Sequence, residues 1–566
     1  MDNVGTGLRQ MTKGNYMGKL RKAVTVGVVA ALATFGVAAC GGGSQSSSTG
    51  GGGNGGGEIN VSMTSFPDYV DPQLSYTVQG WEVLYNVYTP LLTYKHAKGQ
   101  DGTQVVPALA EAMPDISPDG KTYKLQLRPN MKYSDGSPIK ASDFTYAIQR
   151  LFKANSGGSV FFTGIVGASD YADGKAPTIT GITTDDATGD ITIALTDASG
   201  TFDNVLALMF AAPVPPNTPL DKDATNNPPP SSGPFMISKV DAPQTLTMER
   251  NPNFKTVKDA GATEVADAHV DKITVTQNKS NSAQVTGIEQ NTIDFMVDPP
   301  DADRLAEVKA KFGERFRLDE SINTYYFFMN NKTAPFNDIR VRQAINYAID
   351  PEALNRVFGG RLHPTQQILP PGMPGYEEYK PYPYDLVKAK ALLAQANPTD
   401  KDITVWTDDE PERKRIGEYY HDLLTQLGFN ATLKVVAGNV YFATIGNTST
   451  PDLDTGFVDW FQDYPHPDDF FRPLLNGANI LPTNNSNYSQ VAIPQNDAKM
   501  DDLSKQQLTD DVKKQYAALD KAYMDQAVWA PYGNEERSTF VSDRIDFDKT
   551  NPHLMFTQDF SAFALK

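Results

Sequence analysis

The chain has 566 residues, 40% of them hydrophobic and 10% aromatic, with 68 acidic against 50 basic side chains and a formal charge of −18. It is too long for one core and too apolar for disorder, so two or three packed domains are expected. The acidity argues against nucleic acid, which is held chiefly by Lys and Arg on phosphates, and against adhesion to an anionic membrane by surface charge.

The chain opens as a targeting segment. Lys13, Lys19, Arg21 and Lys22 precede an uncharged, mostly apolar run from Ala23 to Ala39, followed by Cys40, the only cysteine. A basic start, a short apolar stretch and small residues before a cleavage point describe a secretory signal. Val37-Ala38-Ala39-Cys40 looks like a bacterial lipobox, which would make Cys40 the acylated first residue of the mature chain. The alternatives are a membrane-spanning anchor or a chance buried thiol. A span needs about 20 apolar residues; this run has 17, interrupted by Thr25, Gly27, Thr34 and Gly36. Either Met1 or Met17 would start a complete signal. Gly41 to Gly57 form a Gly/Ser-rich tether with a random-coil reach of roughly 20–25 Å. The expectation is a globular body, lipid-anchored at the outer face of the bacterial cytoplasmic membrane. Removing residues 1–40 takes away five basic and one acidic side chain, leaving 45 against 67, or −22. With no second cysteine, stability must come from packing and size.

Beyond the tether no internal repeat is visible. Ile59-Asn60-Val61 reads as a strand and Asp71-Pro72 as a turn. Trp81, Leu84, Tyr85 and Tyr88 recur at helical spacing within 81–94. Alternation at Tyr123, Leu125 and Leu127, and again from Ile191 to Leu195, predicts a sheet-rich region. The Pro-, Asn- and Ser-dense stretch 213–234 reads as a connection between domains. The second half differs. Asp338 can cap a helix with Val341, Ala344, Ile345, Ala348 and Ile349 on one stripe, and Asp350-Pro351 starts another that Gly359-Gly360 ends. A third runs from Asp385 to Ala396 and stops at Asn397-Pro398. A fourth, marked by Ile416, Tyr420, Leu423, Leu424 and Leu427 and closed by Gly428, lies between strands at 403–406 and 429–435. Strand, helix, strand is a βαβ unit, so this half is an α/β domain with ligands expected at the C-terminal ends of its strands.

Several ordered blocks span nearly the whole globular chain. They are Val106 to Ala110, Ser117 to Tyr123, Leu127 to Pro138 with Ala141-Ser142-Asp143-Phe144, Ser232 to Phe235 with Arg250 to Phe254, and Phe336 to Asp350. Together they resemble the periplasmic peptide-binding proteins that serve ABC importers, solute-binding family 5. The resemblance implies an α/β flytrap of the periplasmic-binding-protein type (type II, three-domain peptide-binding subclass), its two lobes joined by hinge strands. Domain I would comprise 58–101, 233–320 and 536–566, domain II an insertion at 102–232, and domain III 321–535. The hinge strands would lie at Thr324 to Met329 and near Tyr532 to Ser538.

The segment from Asp459 to Pro467 resembles the family's W-x-x-D-Y-x-x-P segment, whose aspartate binds the α-ammonium of a peptide; that role falls on Asp463. A carboxylate in a closed, water-poor cleft makes a strong charge-assisted bond to an ammonium; the alternative is an ordinary turn or cap. Trp460, with Phe461 beside it, would wall a side-chain pocket unless it belongs to the core. The family's ligand-pairing stretch falls on Tyr76-Thr77-Val78, so strand addition at Tyr76 and Val78 is expected. At the ligand's other end the chain departs from its dipeptide-binding relatives. The loop that carries their carboxylate-binding arginine here reads Thr407-Asp408-Asp409-Glu410-Pro411-Glu412-Arg413. Arg413 could reach round the three acids, the ligand end could lie in water, or the ligand could be cationic. Equally, the acids could be an exposed helix start favoured by the dipole.

A secreted hydrolase is the main rival. No G-x-S-x-G elbow occurs, no thiol survives, and the six histidines lack H-x-x-x-H spacing. Asp463, Asp468 and Asp469 could mimic a carboxylate pair, but acid clusters are usually solvated. No catalysis, cofactor or metal is expected. The same fold carries sugars, nickel chelates, haem and opines; Asp463 favours peptide. The partners expected are a peptide ligand, an ABC permease with its ATPase, and the membrane through Cys40, with no nucleic acid and the chain monomeric.

Overall fold

The computed structural model describes residues 56–566 apart from Ala266 and Asn484. The signal segment, Cys40 and the tract through residue 55 lie outside the described residues. Strand β1 (Glu58–Met63) buries Ile59, Val61 and Met63, the period-two pattern of a strand with one face on a core. Helix α1 (Val78–Leu84) is capped by Thr77, whose side chain accepts from the Gly80 amide. The helical spacing at 81–94 is realised only as far as Leu84. Pro90 then denies the ladder a donor, and Leu92–Tyr94 is a strand.

An excursion builds a separate antiparallel sheet from β2 (Asp115–Ile116), β3 (Thr122–Gln126), helix α2 (Ala141–Lys153), β4 (Ile182–Asp185) and β5 (Asp190–Ala194), ordered β2-β3-β5-β4. The chain returns as β6 (Phe235–Asp241), β7 (Thr245–Arg250), β8 (Lys272–Gln277) and β9 (Phe295–Met296). These complete a five-stranded sheet ordered β9-β1-β8-β7-β6, in which β1 runs parallel to both neighbours. One apolar core joins the two sheets. Arg150 of α2 clamps Asp71 through two hydrogen bonds of 2.5 and 2.6 Å, both side chains fully buried.

Strand β10 (Phe316–Asp319) leads through three residues into β11 (Asn323–Met329) and the second lobe. There follow α3 (Ile339–Ala348), α4 (Pro351–Val357), β12 (Leu362–His363), α5 (Leu386–Ala396), β13 (Asp402–Asp408), α6 (Pro411–Gln426), β14 (Asn430–Val436), β15 (Thr455–Phe461), α7 (Asp468–Leu475) and β16 (Trp529–Glu535). The six strands are ordered β12-β16-β11-β15-β13-β14. Every residue of β11 is buried, because helices and loops cover both faces; such a strand reads as a continuous apolar run. Successive side chains point to opposite faces: Tyr326 stacks on Trp529 at 3.7 Å and Phe327 on Tyr420 at 3.8 Å between ring centres. Asp338, Asp350 and Asp385 cap α3, α4 and α5.

Strand β16 leads through Glu536 into β17 (Arg537–Phe540), which pairs antiparallel with β10. Phe316 and Phe540 share a small core with Val285 and Ile288 of the first lobe, whereas Ile322 and Tyr532 belong to the second-lobe core. The chain therefore passes between lobes twice, at residues 320–322 and at Glu536. Of the expected hinge strands, Thr324 to Met329 lies inside the second-lobe sheet just past the first crossing, whereas Tyr532 to Ser538 spans the second crossing at Glu536. No helix among the described residues is long and apolar enough to cross a membrane.

Candidate functional site

Between the end of β15 and the start of α7 the loop carries Asp463. Its backbone N–H donates to Asp469 Oδ2 at 3.0 Å, and Trp460 Nε1 reaches the same oxygen at 3.4 Å. Asp469 stands in the first turn of α7, where the helix dipole favours an acid. The loop is thus folded around one carboxylate and presents a second. Asp463 Oδ2 accepts the Tyr76 hydroxyl at 2.7 Å, a contact from one lobe to the other. The Tyr76 ring stacks on Trp81 at 5.7 Å and meets Phe210 edge-on at 5.3 Å. Tyr464, next to Asp463, packs edge-on against Phe161 of the first lobe at 6.3 Å. Aromatic walls from both lobes close round the carboxyl.

Asp463 is 9% exposed and Asp469 1%. Burial pushes the Asp463 carboxyl up to about 7, opposed by the hydrogen bond from Tyr76. Burial, then the charge of Asp463, hold Asp469 well above the usual carboxylate range. Nearby cationic capacity is committed or absent: Arg472 pairs with Asp468 at 2.9 Å, and burial lowers His466 to about 3 and keeps it neutral. Among the described residues neither Asp463 nor Asp469 has a cationic partner. A buried pair of acids without a cation can accept one from outside.

The other sequence-derived residues fall in three places. The Tyr76 N–H donates to Asp68 Oδ2 at 2.8 Å, the Thr77 carbonyl accepts from Trp81 at 3.0 Å, and Val78 opens α1. The stretch 76–78 is therefore a helix start rather than an extended edge, with the Thr77 side chain turned back onto Gly80 and Asp68 and the Tyr76 hydroxyl reaching across to Asp463. Val78 and Phe461 line one pocket together with Trp81, Gln462 and Arg537. Trp460 packs against the second-lobe core while its indole reaches Asp469. Arg413 stands apart in the first turn of α6. Its guanidinium bonds Asp408 of β13 at 3.0 Å and Asp459 of β15 at 3.3 Å, above the Phe457 ring. Sequence reasoning assigned no binding role to Trp81 or Arg537, and gave Asp469 no part in shaping the loop. An acid six residues after Asp463, at a helix start, was the available signal for Asp469.

Comparison with known proteins bears on the family and the fold. A family model for bacterial extracellular solute-binding proteins, family 5 middle, matches residues 104–481. Heme-binding protein A of Haemophilus influenzae is 26% identical over 483 residues, 81% of this chain and 83% of the relative. The periplasmic oligopeptide-binding protein OppA of Salmonella typhimurium is 26% identical over 399 residues, 66% of this chain and 70% of the relative. Among solved structures, clavulanic acid biosynthesis oligopeptide binding protein 2 has the same fold, with a TM-score of 0.82 at 23% identity over 90% of this chain and 96% of that one. With a family model matching more than half of the chain, the chain belongs to the bacterial extracellular solute-binding proteins of family 5.

Proposed function

We propose that the chain is the extracytoplasmic receptor of an ABC importer, lipid-anchored through Cys40, that captures peptides between its lobes and delivers them to a permease. The observation that carries the reading is Asp463: a buried carboxyl at the junction of both lobes, with no cationic partner among the described residues. A peptide ammonium supplies the missing charge whatever the side chains that follow, so one anchor serves many sequences. Closure is selected because both lobes then touch the ligand. The chain works as a monomer and performs no catalysis in this scheme, so a peptide incubated with it is recovered intact by mass spectrometry. One relative is named for haem. Haem carries propionates, and the paired acids at Asp463 and Asp469 oppose anionic groups there.

The test is calorimetry with free and N-acetylated peptides on the native chain and on Asp463→Asn. Breaking a buried charge pair costs about 3–5 kcal/mol, or roughly two to three and a half decades of affinity. Both acetylation and the substitution should weaken binding at least about a hundredfold while the fold survives. A loss of only a few-fold removes Asp463 from the anchor role.

A further inference from the structure

With Arg413 committed inside the second lobe, the carboxylate end of a peptide needs another cation; the inference here rests on the peptide reading above. A pocket beside the Tyr76–Asp463 contact supplies one. It is bounded by Val78 and Trp81 of α1, Phe461 and Gln462 at the end of β15, Arg537 at the start of β17, and Gln558. Trp81 is the residue on which Tyr76 stacks, and Gln462 is the neighbour of Asp463 in the chain, so the pocket lies beside the ammonium anchor.

Arg537 is half-buried, with its guanidinium carbon 5.9 Å from the centre of the Phe461 ring. Among the described residues no carboxylate oxygen lies within 4.0 Å of its nitrogens. The other ionisable groups of the pocket do not compete strongly. Asp319 is paired with Arg317 at 2.8 Å, Glu320 is exposed, and burial keeps His553 neutral by lowering it to about 4. Glu82, deeper in α1, is pushed up to about 8 by burial, against the pull of Arg537, and is mostly protonated at neutral pH. Two amide oxygens of the pocket residues, Gln462 Oε1 and Gln558 Oε1, are shut off from solvent with no hydrogen-bond partner. A free guanidinium calls for an anion and an orphaned amide oxygen calls for an N–H donor. The last residue of a peptide presents both, on either side of one Cα.

We infer that Arg537 binds the C-terminal carboxylate of the peptide whose ammonium rests on Asp463, with Gln462 and Gln558 accepting from its amide N–H groups. Asp463 lies two residues beyond Phe461, whose ring centre is 5.9 Å from the Arg537 guanidinium carbon. At about 3.3–3.6 Å per extended residue, the ligand gripped at both ends is on the order of two to four residues long.

The experiment titrates a ladder of two- to five-residue peptides, each as free acid and as C-terminal amide, into the native chain, Arg537→Gln and Arg537→Lys at pH 7.5. For the best-binding length, amidation should weaken native binding at least about tenfold. Arg537→Gln should bind acid and amide equally within about twofold, and Arg537→Lys should regain part of the preference for acid. An amidation penalty that persists undiminished in Arg537→Gln, or is missing in the native chain, overturns the assignment. N-acetylation is run alongside to separate the two ends. If acetylation abolishes binding while amidation does nothing, Arg537 falls and the Asp463 anchor stands. If no free peptide binds the native chain, both fall. Should Arg537→Gln fail to fold, the native chain and Arg537→Lys still decide through the size of the amidation penalty.

Discussion

The Tyr76 hydroxyl of the first lobe and the Asp463 carboxylate of the second meet at 2.7 Å, at the position proposed for a ligand's ammonium. Hydroxyl and ammonium therefore compete for one oxygen. Tyr76→Phe keeps the stack on Trp81 and removes only the donor. The ligand-free chain should then open further, with a larger radius of gyration by small-angle X-ray scattering. Peptide affinity should rise by a few-fold to about tenfold, since a hydrogen bond to a charged group contributes about 1.5–3 kcal/mol, part of which water replaces. A fall in affinity would place the hydroxyl on the ligand instead.

The elevated carboxyl of Asp463 has a stability signature. Between about pH 4, where an unfolded aspartate ionises, and about 7, where the folded one does, the folded chain holds a proton that the unfolded chain has lost. Its contribution to ligand-free stability therefore declines as pH rises through that window and is flat above it. Asp463→Asn, neutral throughout, should melt a few degrees above the native chain at pH 8 and close to it at pH 5. Scanning calorimetry of the ligand-free proteins checks this.

Peptide capture should be coupled to proton release. An ammonium selects the ionised carboxylate, so below pH 7 binding has to expel the proton that Asp463 carries. Affinity should fall about tenfold per pH unit below 7. Titrations at pH 6 in buffers of differing ionisation enthalpy should report close to one proton released. A flat profile from pH 5 to 7 would mean that the free carboxyl ionises in the ordinary aspartate range rather than near 7.

Arg413 is expected to matter for folding rather than for the ligand's end. It bridges Asp408, which is fully buried, and Asp459. Arg413→Met leaves two carboxylates without compensation and should cost about 3–5 kcal/mol in urea denaturation. The loss should shrink as acid protonates the stranded groups. Preference for free acid over amidated peptides should be unchanged.

What could be read beforehand was local chemistry. The caps at Asp338, Asp350 and Asp385, and the left-handed backbone at Asn397 and Gly428, depend on neighbours within a few residues and stand where the pattern put them. Asp463 could be singled out because the role the resemblance implies attaches to a short segment, Asp459 to Pro467. One partner of Arg413, Asp408, stands in the same loop, but the other, Asp459, lies on another strand 46 residues away, so the loop alone did not show that the guanidinium is spent inside the lobe. Tyr76 reaches an oxygen 387 residues further on, and no periodicity records where a hydroxyl points across a cleft. At 76–78 the expectation of an extended edge missed that Thr77 is a cap residue, which makes Val78 helical. Arg537 follows two glutamates and reads as surface charge; only the fold turns it toward Phe461.

Two paired crossings, one of three residues and one of a single residue, give the lobes very few torsions with which to separate, so opening resembles a book turning on its spine. Groups beside the spine barely travel while those at the page edges sweep widely. Arg537, the first residue past the spine, would then keep its surroundings in both open and shut forms, and could orient an incoming chain before the covers meet.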